Sequence, residues 1–246
     1  MILRKLSNDI SSANWSAVLI ELLIIVVGVY GAFQVERWGE DRREGREERV
    51  LLEQLHNEIE LAYPAMEAQF LENRDLVTRG QEVVNILMQP VGSGELNDEQ
   101  CDVIFSISIL RREPLTLITL DEMVSSGKHS QLDDRELRAL LFTLKSKMHA
   151  MEVFSHLIRP QQNILMDMYP ELMPRGIDGS GERFINCNAD GMRTSQAFIN
   201  HLMSNLGRNG GLSASKGREF KALQRLHEKL DEVLETSGPE KTSLHN

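Results

Sequence analysis

Aromatic residues make up only 5% of this chain, and it holds just two tryptophans and two cysteines. Runs of β-branched residues are few, so no strand pattern emerges. Leu, Met, Glu and Arg dominate instead, and these favour helix. Cys101 and Cys187 stand apart from any CxxC or Cys/His cluster, which removes the usual structural zinc sites. The two can form one disulfide if the domain lies outside the cytoplasm, or remain free thiols; free thiols are the expectation adopted. Basic charge is also short. Lys plus Arg number 27 against 37 Asp plus Glu, a net charge of -10, which argues against nucleic acid as a partner. No Ser/His/Asp or Cys/His spacing suggests a nucleophile. Gly179-Ser180-Gly181 lacks the lysine of a phosphate loop. No internal repeat is evident.

Against these absences stands one long apolar run, WSAVLIELLIIVVGVYGAFQV, from Trp15 to Val35, with Glu21 as its single charge. As a helix it is roughly 30 Å long, the thickness of a bilayer's hydrocarbon core. It is too long for a signal-peptide core, and Gly31-Ala32-Phe33 is followed by Gln34 and a charged stretch rather than a cleavage site. An uncleaved transmembrane anchor is therefore expected at 15–35, behind a leader at 1–14. Arg4 and Lys5 suit headgroup contacts, and Ser12 or Asn14 can cap the helix start. Trp15 and Trp38 bracket the run as interfacial anchors. Helical spacing puts Asn14, Ala17, Glu21, Gly28, Ala32 and Val35 on one face. Gly28 and Ala32 form a small-xxx-small pair that admits a close second helix. A carboxylate at Glu21 is costly against lipid, so this face is expected to be an interface. Its partner is another copy of the chain or another membrane protein.

Glu21, the apolar run, Gly28, Ala32, Gln34, Trp38 and Glu40 resemble the start of a family of uncharacterised bacterial single-pass membrane proteins. The stretch Thr119 to Gly127, with Leu137 to Leu140, resembles that family's second recognisable segment. Gly39 stands where the family usually has Asn, and the leader is less basic. The resemblance implies a membrane anchor, a helical domain and the bacterial inner membrane, and carries no activity. Orientation signals conflict. Arg37, Arg42, Arg43, Arg46 and Arg49 outnumber Arg4 and Lys5, which favours a cytoplasmic domain by the positive-inside rule. The family's more basic leader leans toward an external one, and an external domain is the reading taken.

The rest reads as all-α: a helical stalk at 36–63, a helical-bundle domain at 64–235 and a disordered tail at 236–246. Charged residues 40–49 form a solvated face. Leu52, Leu55, Ile59, Ala62 and Met66 recur at heptad spacing, as in a short coiled coil or one helix of a bundle. Pro64 is expected to kink or break the helix. Further helices are expected over 65–88, from Asn97 or Asp98 to Leu110, and from Thr119 (with Glu122 as a capping box) to Gly127. The longest should start at Asp133 and carry the stripe Leu137, Leu140, Leu144, Met148, Met151, Phe154 and Ile158 until Pro160. Residues 169–193 read as a long loop. Two helices, 194–207 and 213–235, should be joined by Asn209-Gly210-Gly211-Leu212.

Three patterns invite metal and none completes a site. Asn186-Cys-Asn-Ala-Asp-Gly191 matches the first half of a calcium loop, but Ala197 occupies the position of the bidentate glutamate. Glu53 and His56 have di-iron spacing without a second pair. His149, Glu152 and His156 share a solvated face beside the apolar stripe. No metal, cofactor or catalytic residue is assigned. The expected function is a non-enzymatic, membrane-anchored interaction or scaffold module. The alternative is a membrane-tethered sensor that binds a small ligand or ion and signals through a partner protein.

Overall fold

A computed structural model describes residues 15–110, 114–177 and 183–236. The leader residues Arg4, Lys5, Ser12 and Asn14, and the tail beyond Thr236, lie outside the described residues. The chain divides into two units, Met1–Leu51 and Leu52–Asn246.

Helix α1 is continuous over Trp15–Leu87. In the first unit the described side chains up to residue 47 are exposed, with Leu23 at 65% and Val35 at 71%. Pro64 lies inside this helix, so the expected break does not occur. Proline removes one hydrogen bond, to the carbonyl of Glu60, at a cost of about 3 kcal/mol. Packing on both sides of it outweighs that cost. The rings of Tyr63 and Phe70 sit 5.2 and 5.8 Å from Phe220, and Met66 is buried between them.

In the second unit, Leu52, Leu55, Ile59 and Met66 do bury, so the heptad stripe belongs to an intramolecular bundle. Its partner is the last helix, and the pairing is antiparallel. Residues 56, 63, 70 and 80 of α1 meet 227, 220, 217 and 206 in turn. That last helix, α7, runs unbroken over Gln196–Thr236. The expected link at 209–212 is therefore wrong. Its polar and small residues serve close packing instead. Asn209 is buried and its Nδ2 donates to the Ile107 carbonyl at 2.9 Å. A Cβ on Gly211 would lie 2.8 Å from the Phe154 ring, and one on Gly217 would lie 2.9 Å from the Phe70 ring.

Between α1 and α7 in sequence come the shorter elements. Helix α2 spans Asp98–Ile107 behind a full capping box of Asn97 and Gln100. Helix α3 covers Ile118–Ser125, and Thr119 lies inside it rather than capping it. Glu58 on α1 supplies the cap: its carboxylate accepts the Thr119 amide at 3.1 Å and the Thr119 hydroxyl at 2.8 Å. An anion there satisfies free amides and faces the positive helix end. Gly127, at φ 77°, follows that helix in the left-handed region that glycine enters at little cost. Helix α4 covers Arg135–Ile158, and Asp134, not Asp133, is its N-cap. Its buried stripe uses Leu141 and Ser155, with Leu140 and Phe154 half-buried at the edge. At 24 residues it is shorter than α7, which has 41.

The described part of the expected long loop at 169–193 contains two short strands and a short helix, the strands being the only departure from all-α among the described residues. Short helix α5, Leu165–Met168, is followed by strands β1 (Arg175–Ile177) and β2 (Arg183–Ile185). The strands pair antiparallel, with Gly176 opposite Phe184. Helix α6, Ala189–Thr194, leads into α7. Cys187, just after β2, is bonded to Cys101 on α2, with Cα atoms 5.8 Å apart. The free-thiol expectation is overturned. The hairpin docks its half-buried residues on the core cluster around Ile104, Met173 and Phe198, and this brings the two sulfurs together.

Candidate functional site

Two places gather residues of functional interest. The first is the apolar segment of α1. It is helical through Trp15, Glu21, Gly28, Ala32 and Trp38. The side chains of Trp15 and Glu21 lie outside what is described. A Cβ placed on Gly28 would meet nothing within 4 Å, and Ala32 is exposed, so the small-residue face is open. Trp38 is 58% exposed, with the Arg42 guanidinium 3.9 Å above its ring. Such a stack suits a boundary, since the ring can meet apolar matter while the cation stays hydrated. One turn back along the helix, Gln34 donates to the Tyr30 hydroxyl at 2.8 Å, which satisfies two polar groups within the apolar run. The helix is long and apolar enough to cross a membrane, and its apolar window is 0% buried.

The second place is where α1 and α7 cross in the second unit. His56 and Glu60 are one turn apart on α1; His227 and Asp231 are one turn apart on α7. The His56 and His227 rings stack with centroids 5.0 Å apart. His56 Nε2 bonds Asp231 Oδ1 at 2.6 Å. His227 Nε2 is buried without a hydrogen-bond partner among the described residues. A buried polar atom left in that state costs about 1–3 kcal/mol. One donor atom from each of His56, Glu60 and His227 lies within 4.8 Å of the others. The Tyr63 ring, 5.6 Å from His227, closes the apolar side. Sequence reasoning paired His56 with Glu53, on the wrong spacing. The available signal was the repeated His-x-x-x-acid at 56–60 and 227–231, one copy on each long helix.

The other sequence candidates resolve structurally. In the calcium-like stretch, Asn188 caps α6 by accepting the Gly191 amide at 2.8 Å. Asp190 accepts the Gly92 amide at 2.9 Å and Arg193 Nη1 at 2.7 Å. The Gly92 amide and then Arg193 hold the Asp190 carboxyl below its ordinary pKa. These oxygens are committed to the fold. His149 and Glu152 stand 3.9 Å apart on an exposed face. A groove of about 570 Å³ lies between α2 and the hairpin, lined by Asp102, Phe105, Met166, Arg175 and Phe184. At the start of α4, the Leu137 amide first, with Lys229 and the Glu136 amide, lowers the Asp134 pKa. Glu232 and Asp134 in turn raise that of Lys229. This cluster locks α4 to α7. No protein-family model, curated protein or solved structure matches this chain.

Proposed function

We propose that this protein is a membrane-anchored, single-pass helical interaction module without catalytic activity. It associates with itself, or docks on another membrane protein, through the face of residues 15–35 that carries Glu21, Gly28 and Ala32. The observation that carries this reading is an apolar helical segment, exposed throughout its described side chains, whose face at Gly28 and Ala32 is left open. Without a hydrophobic driving force inside a bilayer, close approach at Gly28 and Ala32 gives the dispersion contact that holds two spans together. A carboxyl at Glu21 adds an interhelical hydrogen bond. Trp15 and Trp38 set the depth at the two interfaces. The Cys101–Cys187 bond favours an oxidising compartment, hence a second unit outside the cytoplasm. The bacterial inner membrane follows from the family resemblance of residues 21–40 and 119–140.

Full-length chains carrying Gly28→Leu or Glu21→Leu should associate less than the parent in a membrane two-hybrid assay. Association unchanged in both would refute the assembly face. A second reading, a membrane-tethered sensor of a small ligand or ion, is favoured by the histidine–carboxylate cluster between α1 and α7.

A further inference from the structure

We propose that His56, Glu60 and His227 bind a divalent transition-metal ion of the imidazole-preferring kind, with zinc the representative case, and that Asp231 orients His56 toward it. This deepens the sensor reading by naming the ion, yet it stands on its own geometry.

The donor set is mixed imidazole and carboxylate, which suits zinc and its neighbours and does not suit calcium or magnesium, which take oxygen alone. The three donors come from two helices 171 positions apart in sequence at His56 and His227, and they converge because α1 and α7 pack antiparallel. Neighbouring donors around zinc, each about 2.0–2.1 Å from the ion, are separated by roughly 3.3 Å. The three donor atoms lie within 4.8 Å of one another, and the Glu60 side chain, exposed and without a hydrogen bond or ion pair among the described residues, can turn toward the two rings.

Two details point to an ion rather than to a satisfied histidine pair. His227 Nε2 is buried and has no hydrogen-bond partner among the described residues. An ion beside it would supply one. His56 Nε2 lies 2.6 Å from Asp231 Oδ1; an ionised carboxylate can only accept, which puts the proton on Nε2 and leaves the Nδ1 lone pair for an ion. A carboxylate behind a ligating imidazole is the arrangement that fixes tautomer and ring direction in metal sites. With three protein ligands and a partly exposed surface, a fourth position is left to water. The site would tie the stretch of α1 around His56 to the C-terminal half of α7.

The test uses the purified full-length chain in detergent, titrated with cobalt(II) as a spectroscopic probe, followed by zinc competition. The expected result is one cobalt per chain, a visible d–d band, and its loss when zinc is added. His227→Gln and Glu60→Gln should each weaken binding by at least the roughly 10–100-fold that losing a supporting partner costs a metal site, and Asp231→Asn should fall within that range. His149→Gln should leave it unchanged. Where a variant fails to fold, the parent chain decides: zinc should protect His56 and His227, and not His149, from modification by diethyl pyrocarbonate. Absence of saturable cobalt binding, or equal affinity in a folded His56→Gln/His227→Gln variant, or no selective protection, overturns the site. Zinc binding that leaves the association of the chain unaltered would keep the site and remove the sensor reading.

Discussion

Gly210 and Gly211 test whether α7 is one helix or two. Both are interior positions of Gln196–Thr236, and neither has a positive φ. A Cβ on Gly210 would meet nothing within 4 Å. Replacing it with alanine in a continuous helix should therefore stabilise the protein by about 0.5–1 kcal/mol, because glycine pays more backbone entropy on folding. Gly211→Ala gains the same term, but its new methyl would lie 2.8 Å from the Phe154 ring carbon Cζ. Inserting a carbon into a packed contact costs about 1–3 kcal/mol, so the net change should run from near zero to about 2 kcal/mol of destabilisation. Urea unfolding followed by circular dichroism at 222 nm separates the two. Thermal midpoints should shift by about 2–4 °C per kcal/mol for a domain of this size. Gly210→Ala should raise the midpoint and Gly211→Ala should lower it or leave it. If Gly210→Ala destabilises the domain, the stretch is a turn between two helices, and the antiparallel pairing of α1 with α7 needs redrawing.

Other substitutions probe the remaining joints. Removing the Cys101–Cys187 bond by paired alanine substitution frees a loop with a sequence separation of 86, and chain entropy puts the loss near about 4–5 kcal/mol; a loss under 1 kcal/mol in denaturant melts would contradict the docked hairpin. Glu58→Ala removes the external cap on α3 and should cost about 1–2 kcal/mol, with amide exchange rising at Thr119 and Leu120; exchange unchanged there would contradict the cap. Asp134 has a folded pKa below its ordinary value, so its stabilisation is present above the ordinary carboxylate range near about pH 4 and fades as pH falls further. Asp134→Ala should flatten the acid limb of the stability curve, and an unchanged limb would show that the carboxylate is not engaged there.

The helices that sequence reading located best are those with a clear local period. The start at Asn97 and most of the Leu137-to-Ile158 stripe are examples, because a 3.6-residue period is visible within one segment, although the cap moved from Asp133 to Asp134 and Leu141 and Ser155 bury in place of Leu140 and Phe154. The failures share a physical cause: a non-local contact overrode a local signal. Pro64 and the Gly210–Gly211 pair are breakers by propensity, yet Phe220 and Phe154 hold the chain helical across them. Thr119 was legible as a cap only until Glu58, 61 positions away, was seen to serve that role. The pairing of Cys101 with Cys187 depends on where the hairpin docks, which no spacing rule reveals. The histidine cluster was half legible. Each His-x-x-x-acid pair could be read from its own helix, but their meeting needed the antiparallel register of α1 and α7. The apolar segment differs because its argument is local: length, charge and composition are read in one stretch, and its exposed helical form agrees with them.

The proposed function requires a chain anchored by residues 15–35 with its helical domain in an oxidising compartment. The most direct measurement is the thiol state of Cys101 and Cys187 in alkaline-washed membranes, read as a mass shift with a maleimide-polyethylene glycol reagent before and after reduction. The expected result is that the chain stays in the membrane pellet and gains two adducts only after reduction. A chain released by the wash, or one that takes up two adducts without reductant, would contradict it.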